Sequence, residues 1–439
     1  MFNLKSKVFA VLATVVCATA ALAQDSGPLI DLLVKKGIIN DQEGEDLRAE
    51  LSKDFAQSPA GKLNLAASMT ELKLSGDVRV RYESRTGSLT TGDHLERDRF
   101  RYRFRTGLTG KMANNWSWGV RLETATGSRS SNVTMGDDAG PFAKNSDTVN
   151  VGQIWAQWTP TPEWTFTGGR MVNPLVTTAL VWDADINPEG LAQSYKHREG
   201  NFEYSATASQ FLYSAASTQN TFGAAANVKD LFLFAWQGGF KYYIEGATKF
   251  FQVNPTLYHY VHNDKYNPAA FKGAFTATNA AAVNNLTVID VPVEYDWVAN
   301  GVPVRAFGDF AYNLDGKDRA AKWGRPDLDG ENYAWQVGLQ YGKAVNKGEW
   351  DAKVYYQATG AFALDPNLVD SDIFDSRTNM QGLVFTGNYA LGSATTFALT
   401  LGHGQRKNDS IVAPGAGDIG SNNALDKYWV LQADLVVKF

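Results

Sequence analysis

Residues 97–105 read Arg97-Asp98-Arg99-Phe100-Arg101-Tyr102-Arg103-Phe104-Arg105, with five arginines at alternate positions and a ring at each position between the last four. A period of two places the guanidinium groups on one face of a β-strand and the rings on the other, whereas a helix would scatter both around its circumference. The arginine face needs water, and the ring face avoids it. In a soluble sandwich the rings would form the core. In a transmembrane barrel they would meet lipid, and the arginines would line a channel.

The start of the chain has the features of a secretory signal. Lys5 and Lys7 precede an apolar run from Val8 to Cys17, and Ala21-Leu22-Ala23 follows. This order predicts a signal peptide over residues 1–23, because the apolar run is shorter than the ~20 residues that a membrane-spanning helix needs. The only cysteine lies within it, so the mature chain would have no thiol, disulfide or cysteine metal ligand. Loss of the two lysines would change the formal net charge from -5 to -7, which gives no indication of nucleic-acid binding.

Residues 24–70 have a helical pattern and form a separate segment. Pro28 starts an apolar periodicity that ends near Gly37, and Asn40 precedes Glu43 by three residues, as in a capping box. The pattern predicts two short helices, located in the periplasm ahead of a barrel. They could pack on each other, associate between subunits or touch the cell wall.

Residues 71–439 read as repeated alternating segments rich in aromatic residues, within a chain that contains 12 Trp, 18 Tyr, 24 Phe and 40 Gly. The last strand alternates from Trp429 to a terminal Phe439, which is typical of the closing strand of outer-membrane barrels. We count sixteen strands, with fourteen or eighteen as alternatives. The predicted fold is therefore an all-β transmembrane antiparallel β-barrel with a short N-terminal helical segment.

The spacing of the connections supports the barrel. Short and long connections alternate, which a soluble sandwich has no reason to show, and an even strand number returns the C-terminus to the periplasm. A barrel of this size encloses an aqueous lumen. The short connections fall near residues 110–115, 160–163, 198–201, 245–247, 298–301, 344–348 and 391–394, and the long ones near 84–97, 126–147, 172–190, 212–230, 262–285, 314–331, 360–378 and 405–425.

Three stretches, together with the terminal strand, resemble the bacterial family of putative porins and, more loosely, phosphate-selective porins. They are Leu32-Leu33-Val34-Lys35-Lys36-Gly37-Ile38-Ile39 with Glu43 to Leu47, Gly169-Arg170-Met171-Val172-Asn173-Pro174, and Val181-Trp182-Asp183-Ala184-Asp185-Ile186-Asn187-Pro188-Glu189-Gly190. The similarity covers essentially the mature chain. It implies a passive channel in the bacterial outer membrane, in contact with lipid and lipopolysaccharide, that passes small hydrophilic solutes. It also implies a homotrimer, since large porins are often trimeric.

The predicted pore-lining residues are charged and lie on the first three strands. Inward neighbours on one strand are roughly 6.6 to 6.8 Å apart, so the arginines repel each other by only ~0.6 kcal/mol per pair in water. They could attract anions and bind phosphate or carboxylate groups, or neighbouring carboxylates could neutralise them as a transverse charge network. The residues are Arg79, Arg81, Arg99, Arg101, Arg103, Arg105, Arg121 and Glu123.

Two acidic loops are candidates for a constriction or a calcium site, although solvated turns are the simpler explanation. Asp183, Asp185 and Glu189 form the first, and Asp327, Asp329 and Glu331 form the second. The porin resemblance favours the first as a loop folded into the lumen.

The sequence predicts no catalytic residue, metal ligand or cofactor. The five histidines are scattered and none lies in a recognisable nucleophile motif. An adhesin or receptor that acts through long extracellular loops is the main alternative to a porin, and a hydrolase embedded in the barrel is a weaker one. Discrete channels in planar bilayers would distinguish the porin from both.

Overall fold

The computed structural model describes residues 27–36, 38–57, 66–125, 130–136, 148–215, 229–262, 285–413, 419 and 425–439. The chain divides into two compact units, Met1–Met69 and Thr70–Phe439. The predicted signal peptide, residues 1–23, lies outside the described residues.

The first unit contains two helices, α1 (Gly27–Lys35) and α2 (Asp41–Gln57). The predicted capping box is present: the backbone N–H of Glu43 donates to Asn40 Oδ1 at 2.8 Å, and the N–H of Asn40 donates to Glu43 Oε2 at 2.9 Å. A Cβ atom at Gly44 would lie 2.8 Å from Val34 Cγ2, so the glycine lets α2 approach α1 closely. The predicted helices are confirmed. None of the helices in the described ranges is long and apolar enough to cross a membrane.

The second unit consists of antiparallel strands in one sheet. Their bounds are β1 (Met69–Leu89), β2 (His94–Met112), β3 (Trp116–Ala125), β4 (Val133–Thr134), β5 (Thr148–Trp158), β6 (Trp164–Arg170), β7 (Glu189–Glu199), β8 (Phe202–Ser214), β9 (Leu231–Glu245), β10 (Lys249–Val253), β11 (Thr256–Val261), β12 (Thr287–Asp290), β13 (Val293–Ala299), β14 (Val302–Asn313), β15 (Tyr333–Gly342), β16 (Trp350–Thr359), β17 (Met380–Ala390), β18 (Thr395–Arg406) and β19 (Leu425–Lys438).

These segments form a closed barrel of sixteen strands, as predicted. The pairs β10 with β11 and β12 with β13 each form one wall strand, interrupted at Asn254-Pro255 and at Val291-Pro292. Proline has no backbone N–H to donate to the ladder, so the interruptions fall where pairing must stop. The short β4 pairs with β2 beyond the end of β3. The sheet closes because β1 pairs with both β2 and β19.

The outer face of the wall is apolar and carries rings near the short turns. Phe100, on the opposite face from its arginine neighbours, is 57% exposed. Ring pairs join neighbouring strands at this end, including Trp116 with Trp158 at 6.1 Å and Trp164 with Tyr195 at 5.1 Å between centroids. Such a band fits the interfacial girdle of a membrane barrel.

The seven predicted short connections are confirmed, and one predicted long connection is wrong. Residues 84–97 are not a loop, because β1 continues to Leu89 and β2 begins at His94. The turn between them is tight: the N–H of Leu89 donates to Asp93 O at 2.8 Å, and Gly92 adopts a φ of 92° that favours glycine. The strands extend further because the alternation of inward charges continues through Glu83 and Arg85.

Two long loops, L3 (residues 171–188) and L7 (residues 360–379), fold into the barrel. Trp182 of L3 and Leu364 of L7 are buried in one apolar cluster with Leu233 of β9 and Tyr258 of β11. The outward neighbour Trp236 on β9 is 44% exposed, which shows that the cluster lies on the inner side of the wall. Exposing these apolar side chains to water inside the barrel would cost free energy, so the two loops bury them against each other and against the wall.

Candidate functional site

The charged inner wall follows from the two-residue period of β1, β2 and β3. Arg99, Arg101 and Arg103 are buried inside the barrel, while the rings between them face outward. Arg85, at the upper end of β1, belongs to the same face although the sequence analysis placed it in a loop. We call eight inward arginines of β1, β2 and β3 the arginine wall. They are Arg79, Arg81, Arg85, Arg99, Arg101, Arg103, Arg105 and Arg121.

Carboxylates on the same strands pair with the arginine wall. The Glu83 carboxylate accepts from Arg85 Nε at 3.0 Å and from Arg99 Nε at 2.7 Å, and its Oε2 lies 3.6 Å from Arg101 Nη1. The predicted charge network is therefore present around a carboxylate with no exposed surface. One buried carboxylate shared among several guanidinium groups offsets much of their mutual repulsion.

A second carboxylate pairs with the arginines nearer the short-turn end of β2. Asp77 accepts from Arg103 Nη2 at 2.8 Å and from Arg105 Nε at 2.7 Å. On β3, Arg121 pairs with Glu123 at 2.8 Å, so these two predicted pore residues neutralise each other. Arg79 instead donates to the Asn132 side chain of the segment beside β4.

The closing strand adds a carboxylate that the sequence analysis missed. Asp434 on β19 stands opposite Arg81 in the register and accepts two hydrogen bonds from it, at 2.6 and 2.8 Å. The pattern of β19 places Asp434 on its polar face. However, only closure of the barrel brings the last strand beside the first.

L7 contributes the other missed acids. Asp372 accepts from Arg81 Nη1 at 2.9 Å and from Arg85 Nη2 at 3.2 Å, and Asp375 accepts from Arg85 Nη1 at 3.1 Å. Burial alone would raise the pKa of Asp372, but Arg81 and Arg85 hold it well below its usual range. An ionised Asp372 therefore docks L7 on the arginine wall.

The three predicted acids of the first loop have different surroundings. Asp185 of L3 lies 3.8 Å from Arg103 Nη1 and 3.6 Å from Arg105 Nη1, so it faces the lower arginine wall as a constriction residue would. Asp183 is buried and joins the two loops: its N–H donates to Leu368 O at 2.6 Å, and its Oδ2 accepts from Ser371 N at 3.1 Å.

Glu189, the third acid, stays a prediction as a constriction residue. It pairs with Arg170, and these side chains are 47% and 42% exposed. Both lie at strand ends with the outward parity of Phe166 on β6 and Leu191 on β7. They also line one cavity together with Asp185 of L3.

Two acids of the second loop form separate ion pairs. Asp327 pairs with Arg325 two residues before it and is 60% exposed, while Glu331 pairs with Lys407 at 2.7 Å. Within the described ranges, no group of three or more His, Cys, Asp or Glu side chains is placed to hold a metal ion.

The side of the lumen away from β1–β3 contains a cavity of about 300 Å³ beside L3. Thr178 of L3 lines it together with Glu294, Arg305, Lys353 and Tyr355 of the wall. Arg305 is paired with Asp296, at 2.8 and 3.0 Å, and remains 44% exposed. Both signs of charge are thus present, in a setting that needs water.

A family model described as "Putative porin" matches residues 89–281. The fold is similar to the outer membrane channel DcaP of Acinetobacter baumannii, at 12% identity and a TM-score of 0.45, covering 86% of this chain and 99% of that chain. It is also similar to the high-pH structure of Pseudomonas putida OprB, at 12% identity and a TM-score of 0.49, covering 84% of this chain and 94% of that chain. No curated protein matches the sequence. The resemblance to putative porins that the sequence predicts is thereby confirmed over residues 89–281.

Proposed function

We propose that the protein is an outer-membrane porin, through which small hydrophilic solutes diffuse passively. The observation that carries the proposal is the contrast between the two faces of one closed wall. Outward positions are apolar and aromatic, whereas inward positions hold the arginine wall and the charged cavity beside L3. A closed barrel with an apolar exterior suits a membrane, and a charged interior suits water.

The inward folding of L3 and L7 favours a porin over an adhesin. An adhesin would use its long loops to project from the membrane surface. Here L3 and L7 bury Trp182 and Leu364 inside the barrel and pair Asp185 and Asp372 with the arginine wall. Loops placed in this way narrow a channel and position charges along the solute path.

We further propose a modest preference for anions. The eight arginines of the arginine wall face seven carboxylates within the described residues, which leaves a surplus of one positive charge. The carboxylates are Asp77, Glu83, Glu123, Asp185, Asp372, Asp375 and Asp434. A small surplus in a confined lumen raises the local anion concentration without binding anions tightly.

The proposed orientation places the seven predicted short connections, the N-terminal segment and the C-terminus in the periplasm, and the tight β1–β2 turn at the opposite end. Thr70 and Phe439 lie at the short-turn end of the wall, which supports this arrangement. Short periplasmic turns and longer outer loops are usual in such barrels.

Single-channel recording in planar bilayers tests the porin proposal. Purified protein should give discrete, stable conductance steps. The control is the same preparation unfolded by heat, and the shift in gel mobility on boiling reports that the unheated barrel is folded. Folded protein that yields no steps would contradict the proposal.

A further inference from the structure

Two buried carboxyl groups meet on the inner wall without a cationic partner. Asp290 ends β12 and Asp309 lies on β14, where the register places Asp290 opposite Ala311, the next inward position after Asp309. The two residues are therefore diagonal neighbours on the inner face, and they are 0% and 4% exposed. Among the residues that the structure describes, no lysine, arginine or histidine pairs with either group. Each carboxylate that faces the arginine wall, by contrast, pairs with an arginine.

Five buried oxygen atoms around this pair have no hydrogen-bond partner in the described part of the chain. They are Asp290 Oδ1 and Oδ2, Asp309 Oδ1, Gln336 Oε1 and the Tyr258 hydroxyl oxygen. Gln336 stands directly opposite Asp309 across β14 and β15 and is 5% exposed. Tyr258 is the next inward residue on β11 after Thr256, which the register places opposite Asp290, and it is 3% exposed. The carboxylate and amide oxygens among them require a donor or a cation.

The chemistry of these oxygen atoms indicates which ion they would bind. Two carboxylates, an amide oxygen and a phenol oxygen are all hard oxygen ligands, and their combined charge matches a divalent ion. Ca²⁺ accepts six to eight such oxygens in irregular geometry, whereas Mg²⁺ requires a near-ideal octahedron and retains water. We propose that Asp290, Asp309, Gln336 and Tyr258 form a Ca²⁺ site in the wall of the barrel.

The site would connect the wall to L3. The Thr178 hydroxyl of L3 donates to Asp309 Oδ2, so the same carboxylate contacts the loop and the proposed ion. Val176, two residues earlier, exchanges two hydrogen bonds of 2.9 Å with the Gln237 side chain of β9. Ca²⁺ bound to Asp309 would therefore hold L3 at a fixed height in the lumen.

Calorimetric titration of the folded, detergent-solubilised full chain with CaCl₂ at pH 8 tests the proposal. We expect saturable binding with a dissociation constant of about 0.1–1 mM, in the range of extracellular calcium modules, and weaker binding of Mg²⁺. Asp290→Asn and Asp309→Asn should each weaken Ca²⁺ binding about tenfold or more, because each removes a charged ligand. The double variant should not bind.

The matched control is Asp296→Asn. Asp296 lies on β13, in the same wall strand as Asp290, and already has Arg305 as its partner. This variant should bind Ca²⁺ like the original protein. Tb³⁺ luminescence sensitised by tyrosine gives a second readout, which Ca²⁺ should quench by displacement and which Tyr258→Phe should reduce. Gel mobility before boiling verifies that each variant is folded.

Two results would overturn the inference. One is an absence of Ca²⁺ binding by the folded original protein up to about 10 mM, well above the affinities of extracellular modules. The pair would then be held by a shared proton. The other is equal binding by the original protein and the Asp290→Asn/Asp309→Asn variant, which would place the ion elsewhere.

Discussion

Asp372 of L7 accepts a hydrogen bond of 2.9 Å from Arg81 of β1, although 291 positions separate the two residues in the chain. The contact fixes the loop to the wall at the point where the arginines are densest. Because Arg81 also pairs with Asp434, this single guanidinium group joins the first strand, the last strand and the inward loop. The shape of the lumen therefore depends on a charge network rather than on the strands alone.

The first prediction concerns the docking of L7. Asp372→Asn should lower the free energy of unfolding by about 1.5–3 kcal/mol, the usual value of a hydrogen bond to a charged group. The barrel should still fold, since Arg81 keeps Asp434 and Arg85 keeps Glu83. Urea unfolding followed by tryptophan fluorescence measures the change.

The control for this prediction is Asp327→Asn, which removes an exposed carboxylate paired with Arg325. An exposed pair contributes about 0–1 kcal/mol, so this change should have little effect. Equal destabilisation by the two substitutions would show that Asp372 does not dock L7.

The second prediction concerns ion selectivity. The reversal potential in a KCl gradient should indicate a preference for chloride, which Arg101→Ser/Arg103→Ser should reduce and Asp185→Asn should increase. One unit charge at roughly 7 Å in water corresponds to ~0.6 kcal/mol, or nearly threefold in local ion concentration. Arg48→Ser is the control, because this arginine belongs to α2 and not to the barrel wall, and it should leave the potential unchanged. A cation-selective original protein, or an equal effect of the control, would contradict the prediction.

The third prediction concerns pH. Burial raises the pKa of Asp370 in L7 to about 8, aided by the neighbouring carboxylates of Asp183 and Asp372. The folded protein therefore retains a proton that the unfolded chain releases above its ordinary pKa of 3.8. The stability from this group is complete at acidic pH and decreases as the pH rises towards about 8. Cleavage of L7 by added protease should consequently be faster at pH 9 than at pH 6.

Asp370→Asn separates the charge of this group from its hydrogen bonds. The amide oxygen can still accept from the N–H groups of Asp372 and Ile373, which lie 2.8 and 2.9 Å from the carboxylate oxygen. Cleavage of this variant should be equally slow at both pH values. A variant that keeps the pH dependence of the original protein would assign it to another group.

The fourth prediction concerns the N-terminal helices. Asn40→Ala removes the side chain that caps α2 and should destabilise the helix by about 1 kcal/mol. Circular dichroism of a peptide covering residues 24–70 should show reduced helicity. Gln42→Ala, which changes an exposed residue of the first turn outside the capping box, is the control. Unchanged helicity in the Asn40→Ala peptide would mean that the capping box contributes nothing.

The local patterns were sufficient to predict the wall of the barrel. Alternation places Phe100 and Arg99 on opposite faces whatever the rest of the chain does, because successive side chains of a strand point to opposite faces. The capping box at Asn40 and the short connections are equally local. The one wrong connection, residues 84–97, was a polar stretch read as a loop although its alternation continued.

The lumen could not be predicted in this way, because its contacts join residues that are distant in the chain. The sequence by itself determined the alternation of the strands, the two faces of the wall and the presence of clustered arginines. Only the tertiary structure decided which carboxylates meet them, since Asp434 arrives through closure of the barrel and Asp372 through the inward path of L7. It likewise placed Asp290 beside Asp309 and paired Glu189 with Arg170. Periodicity fixes the face to which a side chain points, whereas its partner depends on the whole path of the chain.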